Sequence, residues 1–142
     1  MCTHAHDDHV RVAPGLREKV LSPILLHPDD EPQWTLTHPD TLWDVDIHEG
    51  QEISVAGTTL HVLHTPGHVP GAIWLYAADL GCVFTGDTLF HGGPGATGRS
   101  YCDRPTLEAS IRGRLFALPE GTVVHTGHGK DTTIGAERTR MA

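Results

Sequence analysis

Apolar residues in this chain come in short runs broken by Pro and Gly at close intervals, so the elements they predict are short as well. Val10 to Val20 has helical composition, weakened by Pro14-Gly15, and Pro23-Ile24-Leu25-Leu26-His27 reads as a short buried strand. A second helix is expected to start at Asp29 or Asp30. Glu52 to Val55 and Thr58 to Leu63 flank Ala56-Gly57 like the arms of a hairpin. Ala72 to Ala77 and Cys82 to Thr85 flank Ala78-Asp79-Leu80-Gly81 in the same manner, which predicts four antiparallel strands. Pro105, followed by Leu107, Ile111 and Leu115 at spacing four, predicts a helix to about Leu118 with its apolar stripe on a sheet. Thr122 to Thr126 is a further strand, and Thr132 or Thr133 caps a last helix that the chain ends almost as soon as it begins. The order is mixed, an α/β (α+β) chain with no repeat or low-complexity tract to divide it.

Composition narrows the function classes. A chain of 142 residues is expected to form a single domain over 1–142 with a genuine core. Ten Lys and Arg against 18 Asp and Glu give a net charge of -8, the wrong sign for gripping phosphate backbones, so no nucleic-acid partner is expected. No apolar run approaches the roughly 18 residues a membrane span needs, and the N-terminus lacks a signal-peptide pattern. A soluble, cytoplasmic protein without membrane partners is the expectation. Cys2, Cys82 and Cys102 are too few and too widely spaced for a disulfide framework or a CxxC site, which fits a reducing compartment. The abnormal figure is 12 histidines, more than Lys and Arg together.

His4-Ala5-His6-Asp7-Asp8-His9 has the pattern H-x-H-x-D-H. In an extended strand or at its end, His4 and His6 point the same way, and a turn into the following helix brings Asp8 and His9 round to a second position. Two adjacent metal pockets result; the competing reading is a solvated histidine-rich terminus. Ligand types recur after three predicted strands, in Thr65-Pro66-Gly67-His68, Thr85-Gly86-Asp87-Thr88 and Gly127-His128-Gly129. Taken singly, each His or Asp is more readily a turn or capping residue; taken together they argue for one site.

In this order, His4, His6, Asp8, His9, His68, Asp87 and His128 resemble the metallo-beta-lactamase superfamily of binuclear hydrolases. Phe84-Thr85-Gly86-Asp87-Thr88-Leu89-Phe90 and Thr132-Thr133-Ile134-Gly135-Ala136-Glu137 resemble its glyoxalase II-like branch, and the similarity runs over the whole chain. The resemblance implies a four-layer alpha-beta-beta-alpha sandwich. It implies that His4, His6 and His68 hold one metal, that Asp8, His9 and His128 hold the other, and that Asp87 bridges them. An Asp at 87, where the true beta-lactamases commonly have a Cys ligand, argues against antibiotic hydrolysis. Imidazole and carboxylate suit two divalent ions, zinc first, with iron or manganese also compatible. A hydroxide bridging them at neutral pH, with Asp8 and Asp87 as the catalytic carboxylates, makes a hydrolase. A thiolate leaving group, with a pKa near 8.5, needs little acid assistance, which favours a thioester of acyl-glutathione type or an ester over an amide. A lactone or ester hydrolase, a mononuclear-iron persulfide dioxygenase and a catalytically silent metal-binding fragment are the alternatives.

Gly93-Pro94-Gly95-Ala96-Thr97-Gly98-Arg99-Ser100 contains G-x-G-x-x-G, but residues 101–104 postpone the helix that a phosphate loop must run into. A substrate-side loop is the better reading, with Arg99 and Tyr101 as contacts for an anionic acyl group; an exposed loop Arg and a packed Tyr are equally compatible. His27, His38, His48, His61, His64, His91 and His125 are expected to be structural or exposed, with His91 the nearest in sequence to Asp87. His61 and His64 should point to opposite faces of one strand, and Trp34, Trp43 and Trp74 read as packing. The family normally has several strands before H-x-H-x-D-H, so an N-terminally truncated sandwich is expected, with an exposed sheet edge open to self-association. The helical domain that binds glutathione in longer glyoxalase II enzymes has no counterpart here, which leaves the thiol carrier open.

Overall fold

In the computed structural model, which describes residues 1–142, an extended entry leads into α1 (Asp7–Val10) and α2 (Ala13–Val20). The chain continues through β1 (Leu25–Leu26), a 3₁₀ turn at Pro28–Asp30, α3 (Glu31–Thr37) and β2 (Val45–Asp46). Next come β3 (Glu52–Val55), β4 (Thr58–His64), β5 (Ile73–Ala77) and β6 (Cys82–Gly86). Two short strands, β7 (Leu89–Phe90) and β8 (Gly93–Pro94), precede α4 (Arg104–Gly113), and β9 (Val123–Thr126), β10 (Thr132–Thr133) and α5 (Ile134–Arg140) complete the chain.

The two hairpins form as their patterns predict. Ala56 and Gly57, both with positive φ (50° and 83°), make the two-residue turn whose twist suits antiparallel arms, and β3, β4, β5 and β6 pair antiparallel in succession. β9 then lies parallel to β6, and β10 closes the order β10-β9-β6-β5-β4-β3. β4 and β6 are both antiparallel to β5, so β4, β6 and β9 run in one direction and end at one edge of the sheet. That edge carries the chemistry.

Alternation decides the two faces of the sheet. Trp74, Val83 and Val124 point to the face covered by Leu107, Ile111 and Leu115 after Pro105 and by Ile134 of α5. Each such side chain contributes about 1.5–3 kcal/mol by leaving water. Ile73, Leu75 and Val62 point to the other face, where Ile47, Leu25 and Ile53 cover them. Over β6 and β9 that second face is open: Phe84, on a central strand, is 39% exposed and stacks on His125 at 5.1 Å.

Several expectations are narrowed or corrected. Of the two places expected for His4 and His6, the strand's end is the one found: they lie in the loop after the Cys2–Leu25 pairing, with His6 extended as the residue that enters α1. The segment Val10 to Val20 is two helices rather than one. Pro14 sits in the first turn of α2, where its missing N–H costs nothing, so Pro-Gly opens the helix instead of weakening it. The stripe Val12, Leu16, Val20 stays 71%, 55% and 57% exposed, because nothing in the chain packs on it. The strand at Pro23 to His27 shrinks to Leu25–Leu26, paired parallel with β2. The helix after Pro105 stops at Gly113, with Leu115–Ala117 as a 3₁₀ turn. Thr133 does cap the last helix, accepting from Ala136 N–H.

The expected sandwich is thus built on one six-stranded sheet with helices on its covered face. Two smaller sheets accompany it, the antiparallel pair β7–β8 and the parallel pair β1–β2, the latter extended by Cys2, whose N–H donates to Leu25 O at 2.9 Å. Trp34 and Trp74 are fully buried, and Trp43 is half-buried edge-on against Trp34. No helix is long and apolar enough to cross a membrane.

Candidate metal centre

Four segments deliver the predicted side chains to the shared end of β4, β6 and β9. His4 and His6 come from the entry loop, and Asp8 and His9 from the single turn of α1. His68 follows β4, Asp87 follows β6 and His128 follows β9. The pairing register of β6 with β9 shifts between Phe84 and Gly86, and this irregularity, with Gly86 at φ +52°, aims Asp87 at the edge. A side chain at Gly86 would overlap Thr3, next to His4, and one at Gly127 would overlap the Asp87 carboxylate. Both glycines therefore allow backbone to pass against the site.

The seven side chains form two groups around Asp87. In one, the ligand atoms of His4, His6 and His68, all buried, lie within 4.8 Å of each other; in the other, so do those of Asp8, His9, Asp87 and His128. Asp87 Oδ2 is 3.9 Å from His4 Nε2, 3.7 Å from His68 Nε2 and 3.5 Å from His128 Nε2, while Oδ1 is 3.1 Å from His9 Nε2. Asp8 Oδ2 is 2.9 Å from His128 Nε2 and 3.4 Å from His9 Nε2.

Protonation follows from burial and neighbours. His68 Nδ1 donates to Ala96 O at 2.8 Å, which leaves Nε2 as a lone pair, 3.0 Å from His6 Nδ1. Burial, reinforced by the other imidazoles, holds His4 far below the ordinary His range. Burial and His68 push His6 down to about 4, and burial lowers His68 as well. All three are therefore neutral and offer lone pairs. For His9, burial opposes charging, but contact with Asp87 and the charges of Asp87 and Asp8 outweigh it and raise the pKa. Burial pushes Asp87 up, but His9 and the neighbouring imidazoles more than reverse it, so the carboxylate is charged.

His4 Nε2 and Asp87 Oδ1 are buried and meet no hydrogen-bond partner of acceptable geometry. Buried polar atoms left so are costly, and a cation among them removes the cost. The donor set of imidazoles and carboxylates fits two divalent ions, with His4, His6 and His68 as one ligand set and Asp8, His9 and His128 as the other.

A third cluster, His27, Asp29 and His64, does not share this character. Its imidazoles stack at 4.2 Å and 10°, so their in-plane lone pairs run parallel instead of converging. His27 Nδ1 accepts Asp29 N–H, and His64 Nε2 donates to Pro70 O. His61 pairs instead with Glu52, and His91 is exposed.

Arg99 lines the cavity of about 130 Å³ shared by His6, Asp8, His68, Asp87, Ala96 and His128. It also lines an adjoining cavity of about 260 Å³ with Gln33, Leu36 and Tyr101. Tyr101 is 58% exposed rather than packed, at φ +68°, an uncommon conformation for a bulky residue. Sequence reasoning missed Asp30, a fully buried carboxylate hydrogen-bonded to both the His4–His6 loop and the loop after His68. Its place in Asp29-Asp30 resembles an ordinary helix start, and no sequence signal separates the two roles.

A family model described as the metallo-beta-lactamase superfamily matches residues 1–128. The chain is 33% identical over 156 residues to the hydroxyacylglutathione hydrolase GloC of Haemophilus influenzae, across 97% of this chain and 71% of that protein. Among solved structures it is similar to BLEG-1, described as a B3 metallo-beta-lactamase, with a TM-score of 0.86 and 33% identity over 96% of this chain and 72% of that one. It is also similar to TTHA1623 in a di-iron-bound form, with a TM-score of 0.81 and 39% identity over the same shares of the two chains.

Two outcomes test the geometry. Gly127→Ala should displace the Asp87 carboxylate and weaken metal binding about 10–100-fold in chelator competition, whereas Gly121→Ala, with open space at its Cβ, should leave it unchanged. In metal-free protein, His6 binds its proton less readily folded than unfolded. Its contribution to stability is therefore intact above pH 6.5 and is lost as the pH falls toward about 4. Denaturation of His6→Asn across that window should show a shallower loss than wild type.

Proposed function

The chain belongs to the metallo-beta-lactamase superfamily of hydrolases, and from that premise we propose that it is a binuclear metal-dependent hydrolase of thioesters, of acyl-glutathione type. The observation that carries the reading is the position of Asp87, whose carboxylate lies between the two groups, Oδ2 3.5–3.9 Å from His4, His68 and His128 and Oδ1 3.1 Å from His9. Two divalent ions, zinc in the first instance, would make water acidic enough to ionise near pH 7 and would draw electron density from the attacked carbonyl.

The chain's own residues supply the rest. Neutral His4, His6 and His68 bind one ion through lone pairs that are already unprotonated, so little proton release accompanies binding there. Asp8, His9 and His128 bind the second, and the two carboxylates of Asp8 and Asp87 balance part of the cationic charge. Asp8 is exposed and lines the cavity, where its free carboxylate oxygen can take the proton that the attacking water loses. Arg99 holds an anionic part of the substrate between the two cavities, and Tyr101 borders its far side. An amine must be protonated before it leaves, and in the small cavity lined by His6, Asp8, His68, Asp87, Ala96, Arg99 and His128 only Asp8, after taking the water's proton, could supply that proton. A thiolate leaves without that help, and here the similarity to GloC agrees with the chemistry.

The test combines metal content with turnover. Two ions per chain and faster hydrolysis of an acyl-glutathione than of a lactone or a beta-lactam are expected. One iron per chain, or a preference for the lactone or beta-lactam, would overturn the proposal. His68→Ala and Asp87→Ala should each abolish turnover, while His38→Ala, whose imidazole contacts Val10 O outside the site, should retain it. Arg99→Ala should raise KM for an anionic thioester about 10–100-fold and leave an uncharged one unaffected, in keeping with the roughly 1.5–3 kcal/mol of a hydrogen bond to a charged group.

A further inference from the structure

We infer that Asp30 is the positioning residue of the three-histidine pocket, its buried carboxylate setting the distance between the loop that carries His4 and His6 and the loop that carries His68. This rests on the metal-site reading above and assigns a part of it to a residue outside the ligand set. Asp30 is fully buried. Its Oδ2 accepts Ala5 N–H at 2.8 Å, from the peptide between His4 and His6, and its Oδ1 accepts Gly71 N–H at 2.6 Å, three residues past His68. One rigid carboxylate thus spans two segments 66 residues apart in sequence, Ala5 and Gly71, and tethers both ligand-bearing loops at once.

The approach is built into the backbone. A Cβ at Gly71 would stand 2.7 Å from Asp30 Cγ and Oδ1, so the carboxylate reaches the Gly71 amide only because that side chain is missing. The carboxylate has no Lys or Arg partner; the two amide donors are its hydrogen bonds. Burial pushes its pKa up to about 6 despite those donors. A group so costly to bury is not explained by packing, because an apolar side chain of similar volume would fill the space without desolvating a charge.

The two loops are otherwise anchored in different places. The His68 loop is tied to the segment before α4 and to α4 itself, through Asp103 N–H to Gly67 O at 2.7 Å, Cys102 Sγ to His68 O at 2.9 Å and Ser110 Oγ to Pro66 O at 2.7 Å. The His4–His6 loop is joined to that region by Ile73 N–H to Thr3 O at 2.9 Å, on the far side of His4. Asp30 supplies the second tie, and two ties are needed to fix both separation and tilt. Its hydrogen bonds reach neither α1, which carries Asp8 and His9, nor the turn after β9 that carries His128. The effect should therefore fall on one pocket.

The test measures the two metal affinities separately, by chelator competition with zinc and by the visible spectrum of the cobalt-loaded protein. Asp30→Asn keeps the shape but sets an NH2 group against one of the two N–H donors. It should weaken one ion about 10–100-fold, leave the other within about twofold, and remove the cobalt bands of the three-histidine pocket. Gly71→Ala presses on the same carboxylate from the opposite side and should give the same one-sided loss, which covers the case in which Asp30→Asn fails to fold. Asp29→Asn, exposed beside it, should change neither site. Equal weakening of both ions, or a lower melting temperature with both affinities unchanged, would overturn the assignment. A wild-type chain that holds no ion would instead overturn the metal-site reading on which it stands.

Discussion

Imidazoles and carboxylates crowded at one edge of a sheet satisfy one another only in part, and the construction of this molecule follows from that constraint. His4 Nε2 and Asp87 Oδ1 are buried and meet no hydrogen-bond partner of acceptable geometry, and His68 Nε2 is left to accept only from His6 Nδ1 at 3.0 Å. Such an arrangement is unfavourable for the metal-free protein, and it persists because the surrounding fold over-determines it. The same groups become mutually compatible when cations lie between them.

The scaffold that enforces this is topological. β4, β6 and β9 end at one edge because β5 reverses between β4 and β6 while β9 runs parallel to β6. His68, Asp87 and His128 each follow one of these strand ends, so the sheet brings them together whatever lies between them in sequence. The entry loop and α1 supply the remaining four donors from a separate part of the chain. Apart from the ligand side chains themselves, the two halves are joined by the Asp30 carboxylate, the Thr3–Ile73 hydrogen bond and the contact surfaces of Gly86 and Gly127. Catalytic geometry therefore depends on residues that never touch a substrate.

Electrostatics divides the two ligand sets. His4, His6 and His68 are buried, and burial keeps them unprotonated. Asp8 and His128 are exposed, and His9 is half-buried with its pKa raised by the carboxylates beside it. One group is thus largely enclosed, with Arg99 beside His6 and His68, and the other opens on solvent. This asymmetry suits a reaction in which substrate arrives from one side.

The sequence by itself determined the seven donors and their order, the two hairpins and the amphipathic stripe of α4. Periodicity, turn chemistry and ligand type are local properties, readable wherever they occur. It also placed Asp87 and His128 in glycine-rich turns after strands, without showing that Gly127 must be Gly because Asp87 occupies the space of its Cβ. Tertiary structure alone decided that His4 and His6 converge from a loop, that Pro14 opens a helix, and that Tyr101 faces solvent. It alone separated the converging imidazoles of the metal centre from the stacked pair His27 and His64, although the residue types are identical. Asp30 is the sharpest case. Nothing in Asp29-Asp30 distinguishes a solvated helix start from a buried strut, because the difference lies in which distant amides, Ala5 and Gly71, fold onto the carboxylate.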